Sequence, residues 1–282
     1  MKYKTNALLV FLNFIFACSN PARQDNQKDS TENNAVHADS VTVDSVKGGN
    51  LVKSEAPDAS VKITQGYAMP RFDDKQAQSP INILTDSTIN NSHESINLAF
   101  KVGVTAIENL GHTIQLDFKD GSTTLAGGKV YFSKQFHFHT PSEHLIDGMT
   151  FPLEMHIVNI LDDSTDRNHP RYLVVAFLFK MGRENKFIKE FLNEIPAEEG
   201  KDSLPSGEVK FEDLFNTIPK NEQGYYSYKG SLTTPPYSES VDWIIKKYIL
   251  EASPEQIYKI EKMEGDNARH VQALNKRRVS NS

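Results

Sequence analysis

The segment from Gln135 to His144, Gln-Phe-His-Phe-His-Thr-Pro-Ser-Glu-His, restricts the fold more than any other part of the chain. Alternate side chains of a β-strand point to opposite faces, so Gln135, His137 and His139 share one face and Phe136 and Phe138 take the other. Glu154-Met155-His156-Ile157-Val158 repeats the pattern, with Glu154, His156 and Val158 on one face and Met155 and Ile157 on the other. If the two strands are neighbours, His137, His139 and His156 converge on one divalent ion. Three neutral imidazoles without a fourth protein ligand suit zinc, and a vacant tetrahedral corner holding water makes such a site catalytic in type. A lone His-x-His pair on a strand is more often a surface or hydrogen-bonded pair. Gln135 and Glu154 shift that balance, because each lies two residues before a proposed ligand on the same face. Their oxygens can accept the second ring N–H of a histidine and so fix its tautomer.

Five separated segments resemble, in order, the signature segments of the α-class carbonic anhydrases: Gln78-Ser79-Pro80-Ile81-Asn82-Ile83, Asn109-Leu110-Gly111-His112-Thr113, residues 135–144, Glu154-Met155-His156, and Gly230-Ser231-Leu232-Thr233-Thr234-Pro235-Pro236. The resemblance spans about Gln78 to Val279. It implies a mostly β (α+β) fold: a single domain with a large, mostly antiparallel central twisted sheet and a few short peripheral helices. It also implies a zinc lyase, a carbonate dehydratase, that hydrates carbon dioxide reversibly to bicarbonate and a proton. One zinc per chain would sit on His137, His139 and His156, and zinc-bound hydroxide would attack the substrate. Glu143 would accept a hydrogen bond from Thr233, which orients the hydroxide, and His112 would carry the proton to solvent. His144 is read as packed near Glu154 and Tyr228, and the backbone carbonyl of Asn267 as holding the ring of His139. Val158, Val174, Leu232, Thr234, Val241 and Trp243 match the wall of the family's apolar pocket. Sulfonamides and anions are the inhibitors the resemblance implies.

The chain departs from the family pattern in places. Gln65-Gly66-Tyr67 stands where a tryptophan-rich opening is usual, which leaves the role of Tyr67 open. Leu110 replaces a frequent asparagine. Tyr237 replaces a cysteine often found in secreted relatives, and a chain with one cysteine cannot form that cross-link. Without the resemblance, the ligand pattern says only zinc-activated hydration or hydrolysis. A zinc esterase and a catalytically silent binding module are the rival readings, and the intact trio with Thr233 and Glu143 argues against the second.

A chain of 282 residues can bury one large core, and a formal charge of -6 without long basic runs argues against nucleic-acid binding. Basic residues ahead of the apolar run Ala7 to Ala17 predict an export signal over residues 1–17, too short to span a bilayer as a mature helix. Ile15-Phe16-Ala17-Cys18 resembles a bacterial lipobox, so Cys18 is the expected lipidation site, although the bulk of Phe16 leaves ordinary signal-peptidase cleavage open. Residues 18–60 read as a lipidated cysteine and a disordered polar tether, and 61–282 as the catalytic domain. These features predict an exported protein at the periplasmic or cell-envelope face of a bacterial membrane, held by a lipid anchor only.

Within the domain, alternation predicts strands over 97–104 and 114–118, with a hairpin at Lys119-Asp120-Gly121-Ser122. The continuous apolar run from Tyr172 to Phe179 predicts a strand buried on both faces. Phe187, Phe191 and Ile195 predict an amphipathic helix over 184–194, and Ser253-Pro254-Glu255-Gln256 a capped helix start.

Overall fold

The computed structural model describes residues 76–90, 99–161 and 170–282. The expected export signal, Cys18, the tether and the opening of the domain with Tyr67 all lie outside those residues. Among the described residues no helix is long and apolar enough to cross a membrane.

Thirteen strands of the described residues form one sheet. Its centre runs Val104–Asn109, Ile114–Phe118, Lys129–His139, Leu153–Leu161, Tyr172–Met181, Val241–Lys246 and Tyr225–Gly230 in spatial order. Most neighbours are antiparallel, while Tyr172–Met181 runs parallel to Val241–Lys246. The sheet is therefore mixed, as a central strand with long connections on one side allows.

Each face of the sheet carries its own apolar layer. Phe136, Phe138, Met155, Ile157, Val175, Phe177 and Ile244 belong to one, and Val174, Ala176, Leu178, Val241, Trp243 and Ile245 to the other. The Tyr172–Met181 strand feeds both layers, as its unbroken apolar run predicts. The three α-helices of the described residues pack on the first layer. Lys186–Lys189, Phe211–Phe215 and Pro254–Glu264 send Phe187, Phe211, Leu214, Ile257 and Ile260 into it. Among the described residues no α-helix contributes to the other layer, whose face carries the histidines.

A bulge decides which face that is. Ser133 pairs with Asn159 and Gln135 with Val158, so Lys134 is an extra residue in its strand. Before the bulge the odd residues Tyr131 and Ser133 point to the core; after it the even residues Phe136 and Phe138 do. Had the strand continued in regular alternation through Lys134 with no bulge, the odd-numbered histidines would face the phenylalanine cluster. Asn159, buried beside the bulge, accepts hydrogen bonds from Thr124 and Ser133 through Oδ1 and donates to the Ile157 and Leu173 carbonyls, so the irregularity leaves its amide satisfied.

Two local expectations need correction, and a third holds. Lys119 to Ser122 is a turn, closed by Ser122 N–H on the Lys119 carbonyl, but the strands flanking it do not pair with each other. The tight hairpin comes later, where Thr123–Ala126 pairs with the start of Lys129–His139 across Gly127-Gly128, both at positive φ (54° and 74°). The helix expected over 184–194 is one α turn, Lys186–Lys189, after which irregular turns with mixed i−3 and i−4 bonds continue to Glu194. Phe187, Phe191 and Ile195 are nevertheless all buried. The helix starting at Ser253 forms as expected, with a complete Ser253/Gln256 capping box.

Candidate metal centre and active site

His137 and His156 are direct cross-strand partners, and His139 lies opposite Glu154. Side chains on adjacent strands at one level stand together, and the nitrogens of His137, His139 and His156 come within 4.8 Å of one another. Ring centroids are 4.6–5.3 Å apart.

The outer nitrogens are committed. Nδ1 of His137 lies 2.8 Å from Gln135 Oε1, and Nε2 of His156 lies 2.7 Å from Glu154 Oε1. Both partners are acceptors, so those nitrogens carry protons, leaving Nε2 of His137 and Nδ1 of His156 as lone-pair donors. His139 is buried with neither ring nitrogen in a hydrogen bond. Asn267 lies close enough to raise the His139 pKa, yet the expected bond from its carbonyl to the ring does not reach hydrogen-bonding geometry. A buried imidazole with no partner is costly, and a cation shared with two neighbouring imidazoles removes the cost.

Electrostatics suit the same role. Burial, reinforced by the neighbouring histidines, holds the His137 pKa well below its usual value. Burial pushes His139 down to about 4 against the pull of Glu154, and lowers His156 as well. All three rings are therefore neutral at pH 7, the form that binds metal.

A second cluster, His144, Glu154 and His156, shares one of these residues. Here Glu154 Oε1 is 2.7 Å from a ring nitrogen of each histidine, a hydrogen-bond length. Two ligands of one tetrahedral zinc stand about 3.3 Å apart, given bonds of about 2.0 Å. This cluster is a hydrogen-bonded support. It continues from His144 Nε2 to the Tyr228 hydroxyl and on to Ser79 Oγ, which also accepts from the Ser231 N–H. Trp243 packs edge-on against His144 and His156 at 4.8 and 4.9 Å.

Glu143 lies beside the ligands, with Oε2 3.6 Å from His139 Nε2 and 3.9 Å from His156 Nδ1. Its Oε1 accepts the backbone N–H of Arg269, whose guanidinium donates to the Ser79 carbonyl and Gln78 Oε1 and covers the Tyr237 ring. Burial raises the Glu143 pKa, while His156, Arg269 and the Thr233 hydroxyl pull it down. Oε2 makes no hydrogen bond of ordinary geometry, and the Thr233 hydroxyl lies near enough to lower the Glu143 pKa.

Of the residues matched to the pocket wall, Val174, Val241 and Trp243 are each only 2% exposed and belong to the buried layer on this face. Val158, Leu232 and Thr234 are the accessible ones. His112 is exposed, and its Nδ1 lies 2.9 Å from the Leu110 carbonyl. That carbonyl can only accept, so the neutral ring keeps its lone pair on Nε2. Gly111, at φ 77°, permits the turn that presents it.

Arg269 and Ser79 have supporting roles that no local pattern could indicate. Each reaches its partners across more than a hundred residues of chain.

Comparison with known proteins gives a consistent result. The eukaryotic-type carbonic anhydrase family matches residues 67–282. A carbonic anhydrase of Neisseria gonorrhoeae is 37% identical over 207 residues, covering 72% of this chain and 76% of that protein. One from Pectobacterium atrosepticum is 35% identical, covering 71% and 78%. The solved α-carbonic anhydrase of Thermovibrio ammonificans, in complex with the inhibitor sulfanilamide, superposes with a TM-score of 0.66 at 35% identity, covering 73% of this chain and 87% of that one. With the three-histidine cluster on one face of a large mixed sheet, these likenesses mean that the chain belongs to the eukaryotic-type carbonic anhydrase family and is a carbonic anhydrase.

Proposed function

We propose that this chain hydrates carbon dioxide reversibly to bicarbonate and a proton at one zinc ion held by His137, His139 and His156. The observation carrying this reading is the buried, unpartnered His139 beside two imidazoles whose other nitrogens are already hydrogen-bonded. Zinc, when bound, supplies the Lewis acidity that brings the pKa of water to about 7, a value belonging to carbonic anhydrases as a class and not obtained from this chain.

The remaining tasks fall to the chain's own residues. Gln135 and Glu154 hold the ligand tautomers. Glu143, anchored by Arg269 through Oε1, keeps Oε2 free of other hydrogen bonds, and Thr233 is among the groups that lower its pKa. When the Thr233 hydroxyl gives its single proton to that oxygen, it can only accept from the attacking water species, which aims the nucleophile's lone pair at the substrate carbon. Val158, Leu232 and Thr234 supply the surface against which the apolar substrate rests. His112 takes the released proton on Nε2 and passes it to solvent, a role suited to imidazole near neutral pH. Sulfonamides and small anions are inhibitors on this reading, as sulfanilamide is for the Thermovibrio relative.

The sequence of residues 1–18 further supports export and lipid anchoring at Cys18, at the periplasmic or cell-envelope face of a bacterial membrane. On this reading a tether to about residue 60 precedes the domain that begins near 61. The mass of the mature N-terminus tests this part independently.

Stopped-flow hydration of carbon dioxide by the purified protein, with and without chelator, tests the function. Turnover lost on chelation and restored by one zinc per chain is expected. Metal-dependent ester cleavage without hydration would make the protein a hydrolase instead.

A further inference from the structure

Strands Ile114–Phe118 and Lys129–His139 pair only from Asp117 opposite Gln135 to Gln115 opposite His137. Beyond that point the two segments that matter most for proton release, 112–114 and 138–140, have no backbone ladder between them. Side chains join them instead. The Asn267 amide donates to the carbonyl of His112 at 2.8 Å and to that of Phe138 at 3.1 Å, while its Oδ1 accepts the Thr140 N–H at 3.1 Å. The Asn267 N–H donates to the Thr140 carbonyl at 3.1 Å, so the residue is itself fixed to the ligand strand.

Glu264, the last residue of the Pro254–Glu264 helix, makes a second bridge. Its Oε2 accepts the Ile114 N–H at 3.1 Å, and Oε1 lies 3.1 Å from Thr140 Oγ1. The Thr113 hydroxyl closes the same gap by donating to the Phe138 carbonyl at 2.8 Å. The bond to His112 is made to its backbone, so it positions the residue without engaging the ring.

We propose that Asn267, assisted by Glu264 and Thr113, is a positioning residue for proton transfer: it clamps the backbone that carries His112 to the strand end that carries His139. The proposal rests on the reading of His112 as the shuttle. Without the amide, two carbonyls and the Thr140 N–H lose a partner and the loop is free to shift. A displacement of about 1 Å can cost on the order of 100-fold in a step that depends on geometry. Proton release follows departure of bicarbonate, so the loss falls on kcat and spares kcat/KM.

The test uses the full chain with its metal. In weak buffer, Asn267→Ala is expected to lower kcat by roughly 3- to 30-fold, given that sensitivity. kcat/KM and zinc content stay near wild type, and concentrated imidazole restores turnover. The double variant His112→Ala/Asn267→Ala should be no slower than His112→Ala alone, since one residue acts through the other. In the metal-free protein, amide exchange at Thr140 should speed up and the His112 ring resonances should shift. If kcat/KM and zinc affinity fall together, or the double variant is slower than His112→Ala, Asn267 serves only the ligand strand and the proposal is overturned. Should Asn267→Ala not fold, Thr113→Val removes one bond across the same gap; it is expected to show a smaller loss of the same kind, and an unchanged kcat overturns the clamp. If His112→Ala itself shows no buffer-dependent loss, the shuttle reading has failed and takes the clamp with it. Absence of any hydration by wild type would instead remove the function proposed above.

Discussion

Replacing Glu154 with glutamine changes one atom and should disable the metal centre by a route visible in its hydrogen bonds. Glu154 is wholly buried, and three N–H groups converge on it. Oε1 lies 2.7 Å from ring nitrogens of both His144 and His156, and Oε2 accepts the His144 backbone N–H at 2.8 Å. Burial alone would raise its pKa, but His144 and His156 outweigh that and hold it well below the usual carboxylate value. A glutamine has one acceptor for these three donors. With its oxygen toward the rings, its NH2 meets the His144 N–H; turned the other way, it meets His156 Nε2 and drives the proton onto Nδ1, the nitrogen left for the metal. Losing one charge-assisted bond costs about 1.5–3 kcal/mol, equivalent to roughly 10- to 150-fold in zinc affinity at 1.36 kcal/mol per tenfold. Competition against a chromophoric chelator at pH 7.5 measures it directly. Affinity within twofold of wild type would refute the assignment of Glu154 as the group that fixes the His156 tautomer.

Three further outcomes follow from other parts of the structure. In the metal-free protein, His139 drops from 6.5 to about 4 on folding, so the unfolded chain takes up its proton first and stability is lost as pH falls through that interval; this one residue contributes about 3 kcal/mol. His137 and His156 have the same sign, whereas Glu264, raised by burial to about 8, contributes stability that is lost as pH rises toward that value. Urea denaturation should therefore show a maximum near pH 6.5, and a flat profile would contradict the buried, neutral histidines. Burial lowers the pKa of Lys246, whose Nζ donates to the Gln223 carbonyl, to about 8, so Lys246→Met should raise the melting temperature at pH 7 and lose most of that advantage at pH 10, where the wild-type amine is neutral. A methyl at Gly230 would overlap the Ser79 hydroxyl and crowd the Tyr228 and Trp243 rings, so Gly230→Ala should destabilise the protein by about 1–3 kcal/mol; an unchanged denaturation midpoint would mean that this corner has slack.

Period-2 alternation in two short segments was enough to place three imidazoles on one side of two strands, because side-chain direction in a strand is a local property. The continuous apolar run at Tyr172 and the capped start at Ser253 were legible for the same reason. The order of motifs was enough to indicate the family. Other features were not legible. The hairpin expected at Lys119 to Ser122 depended on which strands pair, and pairing is a long-range choice. The expected bond between Asn267 and His139 depended on how two segments more than a hundred residues apart meet.

The sequence by itself determined the chemistry: which donors are present, which face of each strand they share, and which carboxyl and amide oxygens stand behind them. Only the tertiary structure decided which of the two apolar layers this face meets. The extra residue at Lys134 reverses the parity of its strand, the helices pack on the opposite side, and His139 remains buried without a partner. The difference is physical. Alternation is set by the geometry of one residue and its neighbours, whereas burial, register and the absence of a hydrogen bond belong to segments far apart in the chain that meet only on folding.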